Sequence, residues 1–156
     1  MTQRFDFPAT APEAFAHALA LELFVAREAS IDRRLLHLLK IRASQINGCS
    51  YCLDMHAKAA RRDGLDGQWL DLIAAWRGAR VYDERETAVL GWTNAVTRIA
   101  ETGAGDDDYL RLHRQFSEAE IAALTLAIGT INLWNRLIVS FRSAHPVDGL
   151  GGAESL

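Results

Sequence analysis

The 156-residue sequence is poor in proline, and its three prolines, Pro8, Pro12 and Pro146, all lie near the ends. Proline inside a helix removes a backbone hydrogen bond and clashes with the preceding turn, so the stretch 13–145 is free to be helical. Runs of β-branched residues are rare as well, whereas alanine and leucine are abundant. Both observations favour helices over strands and predict an all-α fold.

Long apolar runs and clustered basic residues are also missing. No stretch of 18 consecutive residues is apolar and uncharged, as a membrane span would require. The N-terminal MTQRFDFPATAPEAF lacks the apolar core of a secretory signal peptide. Lysine and arginine are scattered, the net charge is −3, and no aromatic residues interleave with basic ones. We therefore expect a cytoplasmic protein that binds neither a membrane nor nucleic acid.

Length and composition predict a single domain over 1–156. Apolar residues make up 49% and charged residues 24%, which is ordinary globular usage. No repeat, low-complexity tract or linker divides the chain. The expected core covers about 12–143, and the glycine-rich segment 144–156 is predicted to be a flexible tail.

Capping signals divide the core into helices. Gly48 and Gly64 are predicted to end two of them, whereas Asp83 with Glu86 and Ser117 with Glu120 have the spacing of capping boxes at helix starts. The expected helices cover about 12–27, 32–47, 49–62, 68–77, 83–101, 107–114 and 118–143. The second and third are expected to form an antiparallel hairpin around Asn47-Gly48.

The only two cysteines stand three residues apart, in INGCSYCLDMH. Cys49 falls in the first turn of the third helix, where unpaired N–H groups and the helix dipole stabilise a thiolate. Cys52 and His56 follow on the same helical face, so the imidazole can reach Cys52 as a base. Two thiols one turn apart can also close a disulfide, which predicts thiol–disulfide chemistry.

Other roles for the pair remain open alternatives. A zinc site would need four ligands, which Cys49, Cys52, His56 and His37 supply on paper, but no second ligand pair is present in the sequence. A structural disulfide would close only one helical turn and constrain little. A c-type haem is excluded because Leu53, not histidine, follows the second cysteine. We predict neither a cofactor nor a bound metal.

Two segments, LLHLLKIRASQINGCSYCLDMHAKAARRDG and LTLAIGTINLWNRLIVSFR, resemble the AhpD-like alkylhydroperoxidase and carboxymuconolactone decarboxylase family over about residues 15–143. The resemblance implies a helical fold that assembles into trimers or hexamers. It also implies a peroxide substrate and a dithiol or lipoyl-type protein reductant. Carried over, Cys52 would be the peroxidatic nucleophile, Cys49 the resolving cysteine and His56 the general base. The decarboxylase branch typically lacks the cysteine pair.

The sequence departs from the family pattern at two positions. His37 stands where the family has a relay glutamate, and Tyr51 stands where the best-known members have a histidine. His37 is therefore a candidate proton relay in place of the glutamate. On a helical wheel, however, His37 falls with Lys40 and Ser44 opposite the leucine stripe, which predicts a face exposed to solvent or covered by another subunit.

Two other functions compete with a thiol peroxidase. A lactone enzyme of the decarboxylase type would use His37 and His56 as acid and base. A non-catalytic redox-sensing or zinc-binding module would need no substrate. Asn132, Asn135 and Arg136 on the last helix are polar residues in an apolar segment, so they are candidates for lining a cavity or a subunit interface.

Overall fold

The computed structural model describes residues 2–27 and 30–145, and within them helices and turns are the only regular structure. Nine α-helices and one 3-10 segment make up this part of the chain. They are α1 (Phe7–Thr10), α2 (Pro12–Arg27), α3 (Arg33–Asn47), α4 (Ser50–Arg62), α5 (Gly67–Asp71) with the 3-10 segment Leu72–Gly78, α6 (Glu84–Thr97), α7 (Ile99–Thr102), α8 (Asp106–His113) and α9 (Glu118–Phe141). The predicted all-α fold is confirmed.

The predicted caps set most of the helix boundaries. Asp83 with Glu86 and Ser117 with Glu120 each form a complete capping box. Gly48 adopts the left-handed conformation at φ 65° and ends α3 by donating its N–H to carbonyls of the last turn. These short-range signals work because each one satisfies backbone groups that a helix end leaves unpaired.

Three boundaries differ from the prediction. Helix α1 was not expected, but Asp6 caps it and Pro8 lies in its first turn, where a missing N–H costs nothing. The helix predicted over 68–77 changes to 3-10 geometry after Asp71. The helix predicted to reach residue 101 ends at Thr97, and the Thr102 hydroxyl donates to the Ala95 carbonyl, which a continuing helix would have paired internally.

Helix α3 is central and packs against α4, α6 and α9. The hairpin of α3 and α4 is antiparallel, as predicted, since His37 near the start of α3 contacts Asp63 after the end of α4. The prediction for the face opposite the leucine stripe was wrong. Lys40 is 5% exposed and Ser44 is fully buried within the single chain. Neighbouring helices cover that face, and Glu22 of α2 neutralises Lys40.

Helix α9 is long and apolar enough to cross a membrane by length and composition alone. In this fold it is a core helix, because 44% of its most apolar window is buried against the other helices. The predicted core boundary near residue 143 lies close to the end of α9. The predicted flexible tail falls, from residue 146 onward, outside the described residues.

Candidate active site

The turn between α3 and α4 positions both cysteines. The left-handed Gly48 redirects the chain, so that Cys49 becomes the N-cap of α4 with an extended backbone. Its Sγ accepts the backbone N–H of Cys52 at 3.3 Å. Cys49 is 1% exposed, Cys52 is fully buried, and both are free cysteines. The local fold therefore brings the two sulfurs together at the start of a helix.

The two thiols have opposite acidities. The Cys52 thiol donates a hydrogen bond to Cys49, and this bond, helped by the backbone N–H of Cys52, lowers the pKa of Cys49 to about 7 against the effect of burial. The same hydrogen bond, together with burial, raises the pKa of Cys52. In the resting pair the negative charge therefore lies on Cys49 and the shared proton on Cys52.

Asn135 of α9 is a further polar group beside the pair. It is fully buried, and its amide donates to the Ser44 hydroxyl at 3.1 Å and accepts from Asn47 at 2.8 Å. The same amide hydrogen-bonds the cysteine sulfurs and lowers the pKa of both Cys49 and Cys52. The polar residues of α9 thus serve the cysteine turn of this chain.

His56 lies one turn beyond Cys52 and is buried. Burial, the positive charge of Lys40 and the nearby His37 lower its pKa to about 3. The imidazole is therefore neutral at physiological pH and can accept a proton only weakly. None of the described residues hydrogen-bonds its ring, and His56 and Cys52 lie on the wall of the same cavity.

That cavity has a volume of about 420 Å³ and reaches the surface. Cys52 and His56 lie on its wall, whereas Cys49 does not. Most of the lining is apolar or aromatic and comes from α1, α2 and α9. The lining residues are Gln3, Asp6, Phe7, Pro8, Phe15, Leu19, Glu22, Tyr51, Cys52, Met55, His56, Ile131, Trp134, Leu137, Ile138, Phe141, Ser143 and Ala144.

The N-terminal segment forms part of the cavity wall and is fastened to the end of α9. Arg4 donates its backbone N–H to the Phe141 carbonyl at 2.9 Å. The ring centroids of Phe5 and Phe7 lie 4.3 and 5.6 Å from that of Phe141. Phe15 of α2 contacts Trp134 at 5.9 Å. Phe7, Phe15, Trp134 and Phe141 all line the cavity, so these aromatic contacts form part of its wall.

His37 has a different partner from the one its spacing suggested. Its Nε2 lies 2.6 Å from Asp63 Oδ2, which also pairs with Arg33 at 2.7 Å. His37 does not line the cavity, although it is near enough to His56 to lower that residue's pKa. Its side chain therefore joins the two ends of the α3–α4 hairpin instead of entering the cavity.

Tyr51 lies between the cysteines and lines the cavity, so it is a wall residue as well as a packing residue. The four residues considered for zinc do not gather. In the described ranges no group of three or more histidine, cysteine, aspartate or glutamate side chains could hold a metal ion. His37 pairs with Asp63.

Sequence reasoning missed Glu22 and Lys40. Glu22 lines the cavity and pairs with the buried Lys40. One signal was available in the sequence, since Glu22 is the only Asp, Glu, Lys or Arg in the stretch 14–26, whose other residues apart from His17 are apolar. A lone charge in such a stretch of an amphipathic helix calls for a buried partner.

The cysteine turn, the α3–α4 hairpin and the cavity define a helical protein with a paired-thiol site. Residues 12–95 match the carboxymuconolactone decarboxylase family, and the chain belongs to this family. This agrees with the AhpD-like resemblance of the sequence. The matched region contains α2 to α5 and most of α6, and so includes Glu22, both cysteines and His56.

Similar proteins extend the match over nearly the whole chain. The crystal structure of ATU0492 from Agrobacterium tumefaciens, a protein of unknown function for which a role as antioxidant defence protein AhpD has been suggested, is 50% identical, with a TM-score of 0.92 and coverage of 94% of this chain and 100% of that one. The uncharacterized protein YdfG of Bacillus subtilis is 34% identical over 90% of this chain and 95% of its own. An uncharacterized peroxidase-related protein from Silicibacter sp. TM1040, 23% identical with a TM-score of 0.79, covers 92% and 75% of the two chains and shares the fold.

Proposed function

We propose that the protein is a thiol-dependent peroxidase that reduces organic hydroperoxides through the Cys49–Cys52 pair. One observation carries this proposal: Cys52 lies on the wall of an open, largely apolar cavity and shares its proton with a buried Cys49 whose pKa is lowered to about 7. A nucleophile needs access to the substrate and a base that takes its proton. Cys52 lies against the cavity although its own surface is buried, and Cys49, which shares its proton, serves as the base.

The division of labour between the sulfurs follows from these positions. Cys52 passes its proton to the Cys49 thiolate and attacks the terminal peroxide oxygen. The S–O bond forms, the O–O bond breaks, and the alkoxide leaves as the alcohol after taking up a proton. Cys49 then attacks the sulfenic acid, an S–S bond forms, and hydroxide leaves as water after protonation. An external dithiol reduces the disulfide.

In this scheme His56 is not the main general base, because its lowered pKa makes the imidazole a weak proton acceptor. Its pKa of about 3 keeps the ring neutral, so it offers the cavity a polar wall and a transient proton acceptor. His37 would act only through His56, because its own side chain binds Asp63 outside the cavity. The alternative lactone chemistry needs both histidines facing one substrate and has less support from these positions.

The remaining parts of the proposal concern the setting of the site. A reducing cytoplasm would keep the pair as thiols, and a dithiol or lipoyl-type protein would serve as reductant. Assembly into a trimer or hexamer is part of the same proposal. The exposed apolar side chains Leu19, Leu23 and Phe24 on α2 agree with a further contact surface on that helix.

A mass-spectrometric thiol titration tests the reaction. Reduced protein treated with one equivalent of an organic hydroperoxide should lose two thiols and gain the Cys49–Cys52 disulfide, while the peroxide is consumed in equal amount. Cys52→Ser should consume none. Full peroxide consumption by Cys52→Ser, or a wild-type protein whose thiols survive the treatment, would refute the proposal.

A further inference from the structure

The proposed redox cycle leaves one polar group of the cavity without a role. Glu22 of α2 lines the same cavity as Cys52 and His56, and its side chain is 21% exposed. The other carboxylate on the wall, Asp6, is already used to cap α1. Glu22 is therefore the one carboxylate of this largely apolar wall that is not used in a helix cap.

The two oxygens of Glu22 differ. Oε1 accepts a hydrogen bond from Lys40 Nζ of α3, and Lys40 is 5% exposed. Oε2 is buried, and no residue in the described part of the chain donates to it. Buried polar atoms in native proteins almost always have a partner, so an unpaired oxygen on a cavity residue indicates a ligand or water that completes it.

A second cavity residue, Trp134, has a buried hydrogen-bond donor without a partner, whereas Glu22 has an unpaired acceptor. Trp134 also lines the cavity, and its Nε1–H has no acceptor among the described residues. An acceptor and a donor, both unpaired and both on residues of the same wall, match a ligand that carries an O–H and a second oxygen. A hydroperoxide has both, and the apolar lining suits its organic part.

We propose that Glu22 is a substrate-binding catalytic residue, whose Oε2 accepts the O–H of the hydroperoxide and holds its terminal oxygen against Cys52. This inference rests on the proposed function. The pairing with Lys40 makes the arrangement workable, because an uncompensated carboxylate would repel the developing Cys52 thiolate. A carboxylate thus enters the site from α2, although the sequence pattern had placed the expected one at position 37 on α3.

The competing role for Glu22 is purely structural, as the counter-ion of Lys40. Two oxidants separate the roles, since both oxidise thiols but only one carries an O–H. Cumene hydroperoxide has the O–H that Glu22 would bind. The aromatic disulfide 5,5′-dithiobis(2-nitrobenzoate) has carboxylates and a disulfide but no O–H at its reacting atoms.

Glu22→Gln removes the charge and places an N–H₂ group where an acceptor is needed, while its carbonyl can still accept from Lys40. We expect the second-order rate constant with cumene hydroperoxide to fall roughly 10- to 100-fold, the range for loss of a hydrogen bond to a charged group. The rate constant with the disulfide should stay within about twofold, as the thiols themselves are unchanged. Glu13→Gln, an exposed substitution on the same helix, is the matched control and should leave both rates unchanged.

A double variant covers the case in which an unpaired Lys40 unfolds Glu22→Gln. Glu22→Gln with Lys40→Met removes both charges together. If Glu22 serves only to neutralise Lys40, this variant regains wild-type peroxide reactivity, and the inference is wrong. If Glu22 binds the substrate, the double variant stays slow with the hydroperoxide and normal with the disulfide.

The outcomes also separate this inference from the proposed function. A wild-type protein that reacts with the disulfide but not with the hydroperoxide overturns both. An active wild type with an equally active Glu22→Gln overturns only the role of Glu22. Equal losses with both oxidants assign Glu22 to the structure of the thiol pair and likewise overturn its role in binding.

Discussion

The low pKa of Cys49 depends on one hydrogen bond, which the Cys52 thiol donates, and this dependence can be tested. The largest cause of the low pKa of Cys49 is the hydrogen bond donated by the Cys52 thiol, which helps to bring that pKa from 9.0 to about 7. Cys52→Ala deletes this donor but keeps the backbone N–H of residue 52 and the Asn135 amide. We expect the Cys49 pKa to rise by up to about two pH units, equivalent to about 2.7 kcal/mol.

The ionised fraction at neutral pH makes this change measurable. With a pKa of about 7, half of the Cys49 side chains are thiolates at pH 7. With a pKa near 9, about 1% would be ionised at that pH. Thiolate absorbance near 240 nm, followed from pH 5 to 10 on reduced protein, reports the midpoint directly and does not require a reagent to reach the buried sulfur.

Cys52→Ser is the matched control, because its hydroxyl can donate to Cys49 in place of the thiol. Its midpoint should stay closer to that of the wild type than the midpoint of Cys52→Ala. Thermal unfolding of both variants checks that each is folded. A Cys52→Ala midpoint that remains near 7 would refute the reasoning, since the helix start and the Asn135 amide would then account for the acidity alone.

Four further predictions follow from the site and its turn. Cys49→Ser loses both the resolving thiol and the group that takes the Cys52 proton, so it should react with peroxide more slowly than the wild type and accumulate a Cys52 sulfenic acid, seen by mass spectrometry as a single added oxygen. The pKa of His56 is lowered in the folded state to about 3 from 6.5, so the unfolded chain binds more protons between pH 3 and 6.5. The free energy of unfolding therefore decreases as the pH is lowered through that window. In denaturant titrations, His56→Gln should lose less unfolding free energy on acidification than the wild type, with a difference of about 1.4 kcal/mol per pH unit below 6.5. Asn135→Leu should raise the midpoint of the thiolate titration and lower the free energy of unfolding by about 1–3 kcal/mol, because buried partners lose their hydrogen bonds. Gly48→Ala should cost about 1–2 kcal/mol in the same denaturant titrations, because alanine is strained at a φ of 65°.

Each of these outcomes has a clear contrary result. Peroxide consumption by Cys49→Ser at the full wild-type rate would contradict the assignment of the two sulfurs. Equal acid sensitivity of His56→Gln and wild type would mean that other groups govern stability below pH 6.5. An Asn135→Leu variant with an unchanged thiolate midpoint would remove the amide from the electrostatics of the pair. Wild-type stability in Gly48→Ala would mean that the turn adopts another conformation.

Much of the local structure was predictable because its causes are short-range. The capping boxes at Asp83 and Ser117, the left-handed turn at Gly48 and the cysteine position at the start of α4 each depend on residues within a few positions. The resemblance to the family then supplied the fold, which the family match and the architecture confirm. The roles assigned to Cys49, Cys52 and His56 stay predictions that the experiments above address.

What the sequence by itself determined is the set of helices, the turn that joins α3 and α4, and the presence of a thiol pair followed by a histidine. Only the tertiary structure decided how these parts are used. Packing of neighbouring helices buried Lys40 and Ser44 on a face that a helical wheel predicts to be exposed to solvent or covered by another subunit. His37 pairs with Asp63 and does not line the cavity, whereas Glu22 of α2 does. These outcomes depend on residues far apart in the chain, because pKa values and partners are set by three-dimensional neighbours that no local pattern records.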